Sequence, residues 1–127
     1  MSSDYLNYEL SKELHDLGVV FDTEYHYYKL TGTASPVFSN EGNIHQWGKK
    51  YKWCCYAPST AQLIDEISKI YPFTLFTFWK SDRKIEVDSY KVTSIYGGEV
   101  YGHDPCATTA LGKALIALIK EDRKCKQ

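Results

Sequence analysis

The residues best suited to chemistry stand together at positions 103–106, His-Asp-Pro-Cys. An Asp-Pro pair opens helices, because the carboxylate caps the end and proline, having no N–H, fits the first helical position. A thiol in that first turn feels the positive end of the helix dipole. An imidazole three residues earlier can lower its pKa further, which describes a nucleophile made of Cys106 and His103. The plainer reading is a small residue buried at the start of an alanine-rich helix, and it is preferred. On it the chain holds no catalytic set, and a thiol enzyme using Cys106 with His103 is the third choice of function.

Metal chemistry is less well supplied. Zinc needs three or four convergent ligands, usually Cys or His paired at short fixed spacing. Cys54 and Cys55 are adjacent, so on a strand they point to opposite faces, and Cys106 and Cys125 are remote in sequence. His26, His45 and His103 share no spacing that marks a site, so no metal, cofactor or disulfide framework is expected. Glu86 and Asp88, with Lys84, read as the solvated side of a strand, and Gly97-Gly98 as a hairpin turn rather than a phosphate cradle.

The remaining signal is aromatic. Eleven Tyr and three Trp in 127 residues are too many to bury entirely, since their hydroxyl and indole N–H groups require partners. Tyr25, Tyr27 and Tyr28 crowd one segment, Trp47 and Trp53 flank the middle of the chain, and Trp79, Tyr96 and Tyr101 follow. Tyr and Trp dominate binding hot spots, so Tyr25, Tyr27, Tyr28, Trp47, Trp53, Trp79 and Tyr101 are the candidate binding residues. A half-exposed aromatic sheet face explains the same composition without a ligand.

The elements that must position these rings are legible in part. Leu6, Leu10, Leu14 and Leu17 recur at helical spacing, predicting a helix over residues 5–17 capped from residues 2–4 and stopped by Gly18. Residues 23–30 read as a Tyr-rich strand. Residues 31–50 carry turn chemistry together with Val37, Phe38, Ile44 and Trp47, which predicts a loop or loose hairpin folded back on the body. A short strand over 52–56 leads to Ser59 and Gln62, spaced for a reciprocal capping box, and to a helix with Leu63, Ile64, Ile67 and Ile70 on one side. Strands are expected over 73–80, 84–90, 92–96 and 99–101, with a tight turn at 81–83. A last helix opens at Asp104-Pro105 and carries Leu111, Leu115, Leu118 and Ile119.

Composition excludes some classes. Hydrophobic residues at 43% and charged residues at 24% are an ordinary globular balance for one domain spanning 1–127. Fifteen Lys and Arg against sixteen Asp and Glu create no field for a nucleic acid or an anionic membrane, so neither partner is expected. No basic leader or apolar stretch of membrane length opens the chain, and a cytoplasmic location follows.

The segments Leu14 to Gly18, Pro58 to Ile64 and Pro105 to Leu115 correspond, with differences in residue and spacing, to the patterns Leu-x-x-x-Gly, Pro-Thr-x-x-Glu-Leu and Pro-x-x-Ala-Leu-x-x-x-Leu. In this the chain resembles a group of small phage and prophage proteins of unknown function. It departs from them in Ser59-Thr60 followed by Gln62, and in Gly112 within the last helix. That resemblance implies no catalytic residue.

The expectations are therefore an α+β domain, with an antiparallel sheet of four to six strands and three helices packed mainly on one face. The leading function is a non-enzymatic phage-type binding protein that masks a host protein surface. The alternative is a small-ligand protein sequestering a nucleotide-like molecule in an aromatic-lined pocket. A homodimer is expected through an aromatic sheet edge or face containing at least two of Tyr25, Tyr27, Tyr28 and Trp53, because Tyr-rich strands of low charge leave sticky edges.

Overall fold

Asn7 begins the first helix. Its backbone is extended and its side chain accepts from the Leu10 N–H at 2.9 Å, so α1 runs Tyr8–Asp16. The capping expected of residues 2–4 falls to Asn7 because the chain before it is used otherwise. Tyr5 bridges to Ser59, and the Leu6 N–H donates to the Pro58 carbonyl at 2.9 Å. Gly18, at φ 88°, ends the helix as expected. Its N–H reaches the His15 carbonyl and that of Val19 reaches Leu14, the paired closure of a Schellman motif.

The computed structural model describes residues 4–30, 35–47, 50–70, 76–80, 90–94 and 100–125, with 76–80, 90–94, 100, 101 and 125 described as backbone only. β1 (Tyr25–Leu30), β2 (Val37–Asn40) and β3 (Tyr51–Tyr56) form an antiparallel sheet in the order β2-β1-β3. Between β2 and β3 lies α2 (Glu41–Gln46), capped by the Asn40 side chain on the Asn43 N–H at 2.8 Å. The segment expected to be a loop or loose hairpin thus supplies β2, which pairs antiparallel with β1, and a fourth helix. Asn40 acts as the cap and Gly42 and Asn43 as helix residues rather than as turns.

α3 (Thr60–Ile70) opens with the expected capping box. Ser59 Oγ accepts from the Gln62 N–H at 3.3 Å, while Gln62 Oε1 accepts from the Ser59 N–H at 2.9 Å. β4 (Phe76–Lys80), β5 (Tyr90–Ser94) and β6 (Val100–Asp104) make a second antiparallel sheet in the order β4-β5-β6. Lys80 pairs with Tyr90, so β4 is met by a strand ten residues on, and the turn expected at 81–83 lies outside the described residues. β5 also crosses the boundary expected between strands over 84–90 and 92–96. Glu86, Asp88 and Gly97-Gly98 lie outside the described residues.

The α+β class is present, but the six described strands divide into two sheets of three, and the described residues hold four helices rather than three. Alternation of apolar residues specifies that a segment is extended without naming its partner, which is why strand grouping escaped the sequence. β1, expected to offer an unprotected edge to a second copy, is the central strand of its sheet with both edges paired. That removes it as an edge for dimerisation.

α4 (Ala107–Cys125) joins the molecule together. Its first helical bond runs from the Ala110 N–H to the Cys106 carbonyl, so the helix begins two residues later than the Asp-Pro pair suggested. Leu111, Leu115 and Leu118 meet Leu63 and Ile67 of α3 and Leu6 and Leu14 from the N-terminal segment, all essentially fully buried. Each such side chain stabilises the fold by roughly 1.5–3 kcal/mol. Two glycines let neighbours approach α4. A Cβ on Gly102 of β6 would lie 2.0 Å from the Ala110 carbonyl oxygen, and one on Gly112 would lie 2.4 Å from Leu6 Cδ1. Among the described residues no helix is long and apolar enough to cross a membrane.

Candidate functional site

Alternation along β1 sends Tyr25 and Tyr27 to one face and His26 and Tyr28 to the other. The first face is closed. Tyr25 stacks on Phe38 with centroids 4.9 Å apart and planes within 7°, and Tyr5 lies against both rings. The Tyr27 hydroxyl donates to the Leu6 carbonyl at 2.5 Å, and Tyr8 meets the Tyr27 ring edge-on. Burial, with Cys55 nearby, pushes the Tyr27 hydroxyl up to about 12. Cys55, fully buried here, is likewise pushed up to about 12 by burial first and by Cys54 second.

The opposite face depends on a β-bulge. In a regular strand Trp53 and Tyr56, three residues apart, would point to opposite sides of the sheet. The register slips between Tyr27, opposite Cys55, and Tyr28, opposite Trp53, which leaves Cys54 as the extra residue. Cys55 therefore faces inward, while Trp53 and Tyr56 join His26 and Tyr28 outside. Trp53 and Tyr56 are 5.0 Å apart at 79°, and His26 and Tyr28 are 6.0 Å apart at 79°. Rings at right angles build corners rather than a flat stack.

With Tyr51 and with Glu41, Ile44 and His45 of α2, these rings line an open cleft of about 440 Å³. Glu41 and His45 sit loosely paired at its rim, 3.7 Å apart and both well exposed. Inside it, burial lowers the His26 pKa against the opposing pull of Glu41, and His26 Nδ1 is buried with no hydrogen-bond partner. The ring is thereby kept neutral at neutral pH. Burial and the same Glu41 charge raise the Tyr28 pKa.

Of the seven candidate binding residues, Tyr28 and Trp53 line the cleft. Trp47 stands beside it, its ring 5.4 Å from that of Tyr51. Tyr25 and Tyr27 belong to the closed face and hold the fold. The side chains of Trp79 and Tyr101 lie outside the described residues, as does Tyr96. The sequence reading missed His26, Tyr51, Tyr56 and Glu41. His26 and Tyr51 were detectable, being two residues from Tyr28 and Trp53, whereas Tyr56 reaches the face only through the bulge.

Cys106 occupies the start of α4 as a cap. Partial burial works to raise its pKa, but the Thr109 N–H and hydroxyl and the Thr108 N–H outweigh that and lower it. Asp104 fixes the turn, accepting from the Cys106 N–H at 2.9 Å through one oxygen and pairing with Lys113 at 2.9 Å through the other. The exposed His103 acts on the Asp104 carboxylate, whose pKa is lowered: burial opposes, and the Cys106 N–H and Lys113 prevail. Among the described residues no group of three His, Cys, Asp or Glu is placed to hold a metal ion.

Comparison with known proteins finds no matching family model, no matching curated protein and no matching solved structure. The cleft has to be read from its own chemistry.

Proposed function

We propose that the protein is a non-enzymatic binding protein that docks a partner protein at the cleft between the β1–β3 face and α2, masking that partner's surface. The observation carrying this reading is the grouping of exposed aromatics. Trp47 and Trp53, 43% and 38% exposed, flank Tyr51 on one side of the molecule, next to the walls made by Tyr28 and Tyr56. Aromatic anchors around a concavity are what interfaces use. The phage resemblance makes a bacterial host protein the partner to test. A nucleotide-like ligand is less well served, because among the described residues lining the cleft no Lys or Arg is available for its phosphates, and Glu41 repels them.

The test is capture from bacterial lysate with micromolar immobilised protein. Wild type should retain one host protein reproducibly, Trp53→Ala and Trp47→Ala should lose it, and Val20→Ser should keep it. Val20 is 69% exposed but lines other surface depressions. Truncating a hot-spot Trp costs at least about 2 kcal/mol, roughly a thirtyfold loss of affinity. Capture that ignores both Trp substitutions, or no capture at all, would overturn the reading.

A further inference from the structure

We propose that the cleft is a receptor for an organic cation, and that the partner group it takes is an arginine side chain. The inference rests on the docking role proposed above and names the chemistry that the cleft selects. Among the described residues its lining has one formally charged group, Glu41, together with the rings of Tyr28, Tyr51, Trp53 and Tyr56. The faces of Trp and Tyr rings carry negative potential and attract cations, and rings set at right angles offer a cation more than one wall. Glu41 reaches the same volume, since its charge acts on both His26 and Tyr28 inside the cleft.

Two further features favour a cation. Of the histidines lining the cleft, His45 stands exposed at the rim beside Glu41, and His26 does not compete with the cation: it is partly buried, Nδ1 has no partner, and the neutral ring adds no positive charge. The Glu41 carboxylate is also available, because its contact with His45 is 3.7 Å long and solvent-exposed. Such a contact is worth little and is readily exchanged for a better donor.

Among cations, the fit is to guanidinium. It is planar, stacks on aromatic faces, sheds water more easily than an ammonium, and presents a fork of donors to a carboxylate at the same time. Arginine is also enriched at protein interfaces where lysine is depleted. A cleft of about 440 Å³ admits the side chain and still leaves it open to the partner's backbone.

The probe is a blocked Gly-Arg-Gly tripeptide, titrated at low salt while the Trp53 indole N–H is followed by NMR. Matched tripeptides with Lys, Glu and Leu at the centre complete the set. The Arg peptide should bind in roughly the millimolar range, as expected for a single solvent-accessible cation–π site, several-fold more tightly than Lys. The Glu peptide should cause no shift. Glu41→Gln, an exposed change that leaves the fold intact, should weaken Arg binding about threefold to tenfold. Trp53→Phe, which keeps a ring, should weaken it less than Trp53→Ala does. Equal binding of Glu and Arg peptides, or an Arg affinity unchanged by Glu41→Gln, overturns the cation assignment. The lysate experiment separates the two claims. If Trp53→Ala abolishes capture while Glu41→Gln leaves it intact, docking stands and cation recognition fails; if neither matters, both fail.

Discussion

The two faces of the β2-β1-β3 sheet are made of the same kinds of residue and are put to different uses. On the inner face Tyr25, Tyr27 and Phe38 are covered by Tyr5 and Tyr8, and the Tyr27 hydroxyl has its acceptor in the Leu6 carbonyl. On the outer face His26, Tyr28, Trp53 and Tyr56 surround an open cleft, and one buried ring nitrogen has no partner. A satisfied polar tip under a cover makes an aromatic ring part of the core, whereas rings at right angles that are covered only in part, as Trp53 and Tyr56 are by the edge-on His15 ring, leave part of their faces available. Residue type does not separate these outcomes. What lies above each ring does.

The comparison is most easily broken by truncation. Tyr27→Ala removes a half-buried ring, its contacts with Phe38 and Tyr8, and a hydrogen bond to the backbone. It should lower unfolding free energy by about 3 kcal/mol, near the lower end of the range for buried aromatics. Trp53→Ala should cost only about 1 kcal/mol, because the larger side chain is 38% exposed and packs on neighbours that can relax. Urea titration of both variants measures the difference. A Trp53→Ala cost equal to or above that of Tyr27→Ala would show that the outer face is as much a part of the core as the inner.

This division explains how much of the molecule could be read from its sequence. The helical leucine stripes, the Gly18 stop and the Ser59–Gln62 capping box were legible because each is local, carried within a few residues by spacing and by one cap. Most strands were legible as segments too, although β2 lay in a stretch read as a loop or loose hairpin and β5 straddles two expected strands. Their grouping was not, since Lys80 meets Tyr90 and β1 lies between β2 and β3 through pairings that no local pattern states. The cleft fell between these cases. Trp53 and Tyr28 stood out by type, but a one-residue bulge at Cys54 decides that Tyr56 joins them and that Cys55 does not. α2, which brings Glu41, was hidden in a segment whose Asn and Gly residues resemble turn chemistry.

The inner face should also set the alkaline limit of stability. Tyr27 and Cys55 are both held up to about 12 by burial, above the ordinary values of about 10 and about 8.5 that they regain on unfolding. Between those values and about 12 the unfolded chain gives up protons that the folded chain keeps. Their contribution is therefore fully present below about pH 8.5 and is lost as pH rises through the folded values. Urea midpoints measured from pH 8 to pH 11 should fall. Cys55→Ala should flatten the earlier part of the fall and Tyr27→Phe the part above about pH 10. Unchanged slopes in both variants would mean that the inner face is wetter than its packing implies.

The outer face should act at the other end of the scale, and more weakly. Burial lowers the folded pKa of His26, with Glu41 opposing, while in the unfolded chain the imidazole returns to about 6.5. A histidine depressed on folding contributes stability that is present above its unfolded pKa and lost as pH falls through its folded one, because the unfolded state then binds the extra proton. His26→Phe removes that proton site and also the unpaired Nδ1, replacing a buried atom without a partner by carbon of similar shape. The variant should match wild type in thermal stability near pH 8 and exceed it at pH 5. Any slope from groups common to both proteins cancels, so the decisive quantity is the difference between the two proteins at each pH. A difference that stayed constant from pH 8 to pH 5 would mean that the His26 ring is solvated, and that the outer face carries no internal cost for staying open.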